Sequence, residues 1–126
     1  MAVWTEEELN KIGTAEEVQV TSQRRGGSLR NPVTIWVVRL GDDLYVRSVN
    51  GRTSAWFRGV LLRLAGQIRV GSLAKDVSFQ EEPAADLNDR LDAVYRTKYR
   101  RYAANIVNSI ISPSARSATI RLVPLP

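Results

Sequence analysis

The sequence contains no cysteine and no histidine. Without cysteine the chain has no disulfide, no thiolate nucleophile and no cysteine metal site. Without histidine it lacks the commonest metal ligand and the usual general base near neutral pH. An enzyme built from this chain must therefore rely on carboxylates, lysines and tyrosines alone, or take its chemistry from a bound cofactor. We favour the cofactor as the simpler explanation.

Lysine is also scarce, so the net charge of +5 comes mainly from arginine; the only lysines are Lys11, Lys75 and Lys98. Guanidinium groups suit planar, bidentate recognition of phosphate and carboxylate. A compositional bias toward arginine explains any single arginine equally well. The arginines therefore indicate a binding site only where they cluster with other features that bind anions.

Long hydrophobic runs are missing as well. No apolar run approaches the length of a membrane span, and the first residues do not resemble a signal peptide. We expect a cytoplasmic protein that does not act at a membrane. The length of 126 residues predicts one domain over residues 1–126, with a core that needs no metal or disulfide.

The first part of the chain predicts one helix and two strands. Thr5 and Glu8 have the spacing of a capping box, which indicates a helix over Glu6–Ile12. Alternating apolar residues predict a half-buried strand over Glu17–Ser22. A run rich in β-branched residues predicts one long strand over Val33–Leu40.

Gly41-Asp42 predicts a tight hairpin, since glycine supplies the positive φ of a type II′ turn. The resulting register pairs Leu40 with Asp43, Val38 with Tyr45 and Trp36 with Arg47. We expect the surface that bears Trp36, Tyr45 and Arg47 to face outward, toward a partner subunit, a ligand or water. A stack of Trp36 on Arg47 would contribute roughly 0.5 to 1 kcal/mol there.

The second half predicts two more helices and three strands. Ser54 is a candidate N-cap for a helix over Ala55–Leu64 that ends at Gly66. A second hairpin and a last strand complete the predicted sheet, over Gln67–Val70, Asp76–Phe79 and Thr119–Val123.

Between these strands lies the longest predicted helix, Asp86–Ile111. Its apolar and aromatic residues recur at steps of three and four, which is typical of a packing face: Leu91, Tyr95, Tyr99, Tyr102, Ile106 and Ile110. We expect this stripe to be core or subunit interface, and the basic residues beside it to be solvated. The whole order predicts an α+β fold with six mostly antiparallel strands and flanking helices.

Two segments have the residue types that bind anions. The loop Arg24–Arg30 places three arginines around two glycines, so that backbone amides and guanidinium groups can approach one anion. Such a loop is also typical of an ordinary exposed turn. The second segment runs from Arg47-Ser48 through Gly51 to the hydroxyls of Thr53 and Ser54, at a predicted helix N-terminus. The coincidence of the two segments makes a ligand site as good an explanation as two exposed turns.

Two aromatic residues follow that helix start. We expect Phe57 to pack in the core, and Trp56 either to do the same or to line a pocket for a flavin or nucleotide. No pair of carboxylates has a spacing that suggests acid/base catalysis. The sequence therefore predicts no catalytic side chain and no metal ligand.

Several motifs in the chain resemble a known family. They are Arg25-x-Gly27-x-x-Arg30-x-Pro32, Pro32–Arg39, Tyr45–Ser48, Gly51-Arg52 and Ala93-x-Tyr95-x-x-Lys98-Tyr99. The chain resembles the bacterial domain of unknown function 2255. More distantly, it is similar to the split β-barrel flavin-binding superfamily and its deazaflavin-dependent nitroreductase-like branch.

That resemblance implies a split β-barrel in which the arginine and glycine loop and the start of the following helix contact cofactor phosphates. Carried over by position, it implies Arg25, Gly27 and Arg30 on the first segment, and Ser48, Gly51 and Trp56 on the second. The residues themselves add Arg47, Thr53 and Ser54, which completes the predicted cofactor-binding set. Gly26 stands where relatives commonly have a serine, so one hydroxyl ligand is missing.

Two hypotheses follow, and a third is less favoured. The first is a redox protein that binds FMN or an 8-hydroxy-5-deazaflavin coenzyme and is an oxidoreductase with an unknown acceptor. The second is a non-catalytic binding or dimerisation module that has lost the cofactor. Both include a homodimer, and the second places the Trp36, Tyr45 and Arg47 surface between subunits. Nucleic-acid binding is not favoured, because the chain shows basic charge without a stacking platform.

Overall fold

The computed structural model describes residues 3–126 of the chain. Within this range the helices are α1 (Glu6–Thr14), α2 (Ala55–Arg63), α3 (Ala85–Lys98), α4 (Ala104–Ile110) and α5 (Pro113–Arg116). The strands are β1 (Glu17–Ser22), β2 (Val33–Trp36), β3 (Val38–Leu40), β4 (Asp43–Arg47), β5 (Ala65–Val70), β6 (Leu73–Glu81) and β7 (Thr119–Pro124). A short 3₁₀ turn over Gly51–Thr53 precedes α2. The fold is α+β, as predicted.

The seven strands form one antiparallel sheet in the order β2-β1-β5-β6-β7-β4-β3. The two edge strands, β2 and β3, are separated in sequence only by Val37. Both edges of the sheet must therefore meet at this residue, which makes the sheet a nearly closed barrel. The prediction of six strands is wrong, because the run Val33–Leu40 contributes two strands instead of one.

The break at Val37 is stabilised by side chains that bond to its peptide groups. Its N–H donates to the Tyr99 hydroxyl at 3.2 Å, and its carbonyl accepts from Lys98 Nζ at 2.5 Å. Val37 is fully buried. Buried peptide groups need partners, and Lys98 and Tyr99 provide the bonds that no neighbouring strand provides here.

The hairpin register is confirmed where β3 and β4 pair. Leu40 lies opposite Asp43 and Val38 lies opposite Tyr45, around a turn in which Gly41 has a φ of 62°. The predicted pair of Trp36 and Arg47 is wrong. Trp36 belongs to β2 and lies opposite Glu17 of β1, because the chain changes sheet edge before the register reaches it.

Both surfaces of this hairpin are buried, although one was predicted to face outward. The inner surface contributes Val37, Leu44 and Val46 to the core inside the barrel. On the other surface Tyr45 and Arg47 are only 4% and 1% exposed. Helices α3 and α4 of the same chain cover this surface with an apolar cluster that includes Leu91, Tyr95, Tyr99, Val107 and Ile110. The prediction that Tyr45 and Arg47 face outward is therefore wrong, whereas Trp36 is half-buried and stays partly accessible.

Helices α1 and α2 lie close to their predicted bounds. The capping box of α1 is confirmed, with reciprocal bonds between Thr5 and Glu8. The backbone bond from Thr5 lowers the pKa of the Glu8 carboxyl. Helix α2 does begin after Ser54, but it ends at Arg63, and the C-cap residue Leu64 adopts the left-handed conformation with a φ of 54°. Gly66 instead lies in β5, where Thr21 of β1 approaches so closely that no Cβ fits.

The predicted long helix over Asp86–Ile111 is broken between α3 and α4. The interruption follows Tyr99, whose ring stacks on Trp36 with centroids 3.7 Å apart and planes 3° from parallel. Tyr102 also lies against Trp36, and its hydroxyl bonds to the Glu16 carboxylate. These tertiary contacts compensate for the helical turn that is lost, so the continuous sequence periodicity does not produce a continuous helix.

Candidate functional site

A cleft of about 300 Å³ lies where β2, the start of α2 and α4 meet. Nine residues line it: Thr34, Ile35, Trp36, Arg47, Val49, Trp56, Ile106, Ser109 and Ile110. Most of the lining is apolar or aromatic, with hydroxyls at Thr34 and Ser109. Small-molecule sites commonly combine an apolar wall with a few polar groups and begin at about this volume.

Trp56 brings the first turn of α2 to this cleft. Its ring is half-buried and meets the Phe57 ring edge-on at a centroid distance of 6.0 Å. Phe57 is fully buried, as predicted. Ser54 occupies the N-cap position, yet no side chain caps the first amides of α2 within the described part of the chain. A helix start with uncapped amides favours a negatively charged group.

The hydroxyl of Ser54 is committed to the protein itself. It bonds to the Ser48 hydroxyl at 2.7 Å, and its bond to the Gly51 carbonyl is longer at 3.4 Å. Ser48 is buried. Gly51 has a φ of 77°, and a Cβ there would lie 3.2 Å from Ser114 of α5. Of the predicted residues in this segment, only the Thr53 side chain is exposed, with one long bond to the Asn50 carbonyl.

The loop Arg24–Arg30 forms a small hairpin. Gln23 and Leu29 make an isolated β-bridge, and the Arg24 N–H donates to the Ser28 carbonyl at 2.7 Å. Gly27 has a φ of 95°, a conformation that favours glycine, and Arg25 is exposed. The backbone of this loop is thus held in one shape by its own bonds.

Helix α2 contacts the loop at two places. Arg63 donates to the Arg25 carbonyl. The Arg30 side chain lies directly against Gly59, where a Cβ would come within 3.0 Å of both Arg30 Nε and Ser22 Oγ. The Nε atom of Arg30 is buried and has no partner within residues 3–126. Gly59 therefore provides space that a larger residue would take from the Arg30 side chain.

Helix α2 connects the loop with the cleft. Trp56, which lines the cleft, and Gly59, which contacts Arg30, are three residues apart in this helix. Residues at this spacing lie on one face, about 5 to 6 Å apart. Arg30 also leads directly into β2, which forms another wall of the cleft. Arg30 does not itself line the cleft, but it contacts α2 one helical turn from the cleft residue Trp56.

Arg47 differs from the other predicted residues because its guanidinium group is saturated. Its Nε donates to Thr119, and its two terminal nitrogens donate to Asp92, Asn88 and the Ile110 carbonyl over 2.6 to 3.2 Å. Five bonds match the five N–H groups of an arginine. The guanidinium also lies 5.2 Å from the centre of the Tyr95 ring. No donor of this group is left for a ligand.

Arg116 extends this ion pair to the surface. It bonds to the second oxygen of Asp92 at 2.5 Å and to Asp89 at 2.9 Å. The bond to Asp92 raises the pKa of the Arg116 guanidinium. Asp92 is therefore held between two arginines, and the cluster of Arg47, Asp92 and Arg116 joins β4, α3 and α5.

Sequence reasoning missed several cleft residues. Val49, Ile106, Ser109 and Ile110 come from a loop and from α4, segments far apart in sequence. Gly59 was missed too, because a glycine within a helical pattern does not show which side chain will occupy its space. In the described part of the chain, no cluster of acidic residues could hold a metal ion and no helix is long and apolar enough to cross a membrane.

Solved structures of similar fold are known at low sequence identity. The conserved hypothetical protein Rv2991 from Mycobacterium tuberculosis superposes with a TM-score of 0.72 at 8% identity, over 98% of this chain and 82% of that protein. A Listeria innocua protein, described as a candidate pyridoxamine 5′-phosphate oxidase, gives 0.68 at 16% identity, over 95% and 92%. An F420 reductase gives 0.60 at 10% identity, over 98% and 97%.

These likenesses show that the chain shares the split-barrel fold of these proteins. No curated protein matches the sequence. A family described as an uncharacterized protein conserved in bacteria matches residues 8–122, which is nearly the whole chain. The chain belongs to this family, the domain of unknown function 2255.

Proposed function

We propose that this protein is a redox protein that binds a flavin or deazaflavin nucleotide, with the ring in the cleft and a phosphate at Arg30. The observation that carries the proposal is the partnerless Nε of Arg30, which lies against Gly59 one helical turn from the cleft residue Trp56. A buried polar group without a partner is costly. An anionic group at the exposed part of this side chain would add charge-assisted bonds beside it.

The residues of the cleft fit the rest of such a ligand. Trp56, Ile35 and Val49 provide apolar and aromatic surface for a planar ring, and the Thr34 hydroxyl can orient its polar edge. The Ser109 hydroxyl donates to the Ile106 carbonyl and is left as an acceptor. The uncapped amides at the start of α2 favour negative charge beside Trp56. In the loop that ends at Arg30, Gly27 provides a backbone amide and Arg25 provides a positive side chain.

A bound flavin or deazaflavin supplies the two-electron chemistry that a chain without histidine and cysteine cannot supply from its side chains. The chain itself binds and orients the ligand and keeps water from one face of the ring. The descriptions of two structural neighbours, an F420 reductase and a candidate pyridoxamine 5′-phosphate oxidase, agree in kind with this role.

Titration of the purified protein with FMN and with a deazaflavin coenzyme tests the proposal. We expect micromolar binding of one of them, with quenching of tryptophan fluorescence, because Trp36 and Trp56 both line the cleft. Arg30→Ala should weaken binding about 10- to 100-fold, the usual cost of losing a bond to a charged group. Arg96→Ala, which removes the same charge from an exposed site on α3, should leave the affinity within about twofold.

A barrel that has lost the cofactor is the competing function. It is favoured by the internal bonds of Arg47, Ser48 and Ser54, which leave three of the predicted contacts unavailable or partly used. If neither cofactor binds at millimolar concentration, the redox proposal is wrong and the second function stands. If one binds but Arg30→Ala has no effect, the phosphate does not lie at Arg30.

A further inference from the structure

Lys98 belongs to a motif that the proposed cofactor site does not use, Ala93-x-Tyr95-x-x-Lys98-Tyr99. It lies at the end of α3 beside a groove of about 370 Å³, which is lined by Gly13, Arg39, Ala93, Val94, Thr97 and Lys98. None of these groove residues lines the cofactor cleft. The groove is therefore a separate place on the molecule with one amine at its edge.

The environment of this amine differs from that of an ordinary surface lysine. Lys98 is half-buried, and its Nζ lies 5.2 Å from the centre of the Tyr99 ring. Within residues 3–126 no carboxylate comes within ion-pair distance of it, whereas Lys75 pairs with Glu8 at 3.4 Å. Lys11 is exposed to solvent. Lys98 is thus a half-buried lysine without a carboxylate partner, and its ammonium group depends on the Tyr99 ring and the Val37 carbonyl.

We propose that Lys98 is a nucleophilic amine that forms an imine with small apolar aldehydes that enter this groove. In this step the neutral Nζ attacks the carbonyl carbon, and an N–C bond forms as both carbon–oxygen bonds of the carbonyl break in turn. The oxygen takes one proton from the amine and one from solvent and leaves as water, which gives a protonated imine with one N–H. The side chains of Ala93 and Val94 provide apolar surface for the aldehyde. The proposal is independent of the cofactor site.

The carbonyl of Val37 can accept a hydrogen bond from both the reacting amine and the imine product. It accepts a hydrogen bond from Lys98 Nζ at 2.5 Å. A neutral amine has two N–H bonds, so it can keep this bond while its lone pair attacks. A protonated imine keeps one N–H, which can donate to the same oxygen and stabilise the product.

The protonation of Lys98 is consistent with a nucleophilic role. Burial lowers the pKa of Lys98 to about 8, although the negative charge of Glu16 acts in the opposite direction. About a tenth of this amine is then neutral at pH 7, against fewer than one in a thousand for a lysine with a pKa of about 10.4. The charged and titratable groups nearby are Glu16, Arg39, Tyr99, Arg101 and Tyr102.

Reductive trapping tests the proposal on the intact protein. We expect propionaldehyde with cyanoborohydride at pH 7 to label Lys98 at least about tenfold faster than Lys11 or Lys75, as measured by peptide mass spectrometry. The neutral fraction of Lys98 is more than about 100 times larger, but a less basic amine is also a weaker nucleophile. The preference should shrink toward pH 10.5, where the other lysines also lose their protons, and it should disappear in urea. Glu16→Gln should increase the rate, because it removes the charge that favours the protonated amine.

Two substitutions separate the groove from the amine itself. Thr97→Phe fills the groove and should slow labelling of Lys98, whereas Arg96→Phe places the same ring on α3 outside the groove and should not. Labelling of Lys98 no faster than of Lys75 at pH 7 would overturn the proposal. A preference for Lys98 that persists in urea would also overturn it, because the preference would then come from the local sequence. Equal labelling rates in the two phenylalanine variants would show that the groove has no role.

Discussion

Arg47 and Arg30 were both predicted to bind a cofactor, yet the structure places them in opposite environments. The guanidinium of Arg47 is buried and donates five hydrogen bonds to its own chain. Arg30 is half-buried, and its Nε has no partner in the described residues. Arg47 uses all its hydrogen-bond donors within the fold, whereas Arg30 does not and can still bind a ligand.

This difference shows why residue type alone does not identify a binding arginine. Both residues lie in segments with hydroxyls or glycines nearby, which is the pattern that predicted phosphate contacts. The two arginines differ in whether folding brings hydrogen-bond acceptors to them. Asp92, Asn88 and Thr119 saturate Arg47 from α3 and β7, more than 40 residues away, so no local pattern could reveal them.

The largest expected effect comes from removing Arg47. Arg47→Ala removes a fully buried side chain and leaves Asp92 with Arg116 as its remaining ion-pair partner, so we expect a loss of about 3 kcal/mol in the free energy of unfolding. Arg30→Ala should change it by no more than about 0.5 kcal/mol. Urea denaturation at pH 7 measures both. A loss above about 2 kcal/mol in Arg30→Ala would make Arg30 a structural residue, and the comparison would fail.

Two tyrosines on α3 and at its end extend the same comparison to hydroxyl groups. The Tyr99 hydroxyl accepts from Val37 N–H and lies 2.7 Å from the Glu16 carbonyl, whereas the buried Tyr95 hydroxyl has no partner within residues 3–126. We expect Tyr99→Phe to lower the free energy of unfolding by about 1 to 3 kcal/mol, and Tyr95→Phe to raise it by about 1 kcal/mol. Thermal and urea denaturation of both variants measure this.

Tyr95 also gives a pH test. Burial raises the pKa of its hydroxyl. Above about pH 10 a tyrosine in the unfolded chain ionises while the buried one stays protonated, so the wild type loses stability as the pH rises. Tyr95→Phe should lose less between pH 9 and 11. An equal loss in the two proteins would contradict the burial of this group.

The smallest expected effect concerns Gly59. Gly59→Ala adds a methyl group 3.0 Å from Arg30 Nε, so it should displace the side chain and weaken cofactor binding about fivefold, if Arg30 binds the phosphate as proposed. Its effect on stability should be near zero, because the gain in helix propensity of about 1 kcal/mol offsets the crowding. Ala55→Gly, at the exposed first residue of α2, controls for helix propensity alone. Unchanged cofactor affinity in Gly59→Ala would show that the position of Arg30 does not matter.

Local signals predicted much of the fold correctly. The capping box of α1, the strand Glu17–Ser22 and the register around Gly41 were found because each depends on residues close together in sequence. The loop Arg24–Arg30 and the start of α2 were also recognised as two segments. Their arrangement along one face of α2 was not, because it depends on Gly59 and on contacts across the barrel.

The sequence by itself determined the α+β class, the placement of most helices and strands, and the absence of cysteine and histidine chemistry. Only the tertiary structure decided that the run Val33–Leu40 splits at Val37, that Arg47 is buried and that Arg30 keeps an unpaired nitrogen. The reason is the range of the interactions. Turns, caps and periodicity act over a few residues, whereas saturation of a buried polar group depends on partners that folding brings from distant elements.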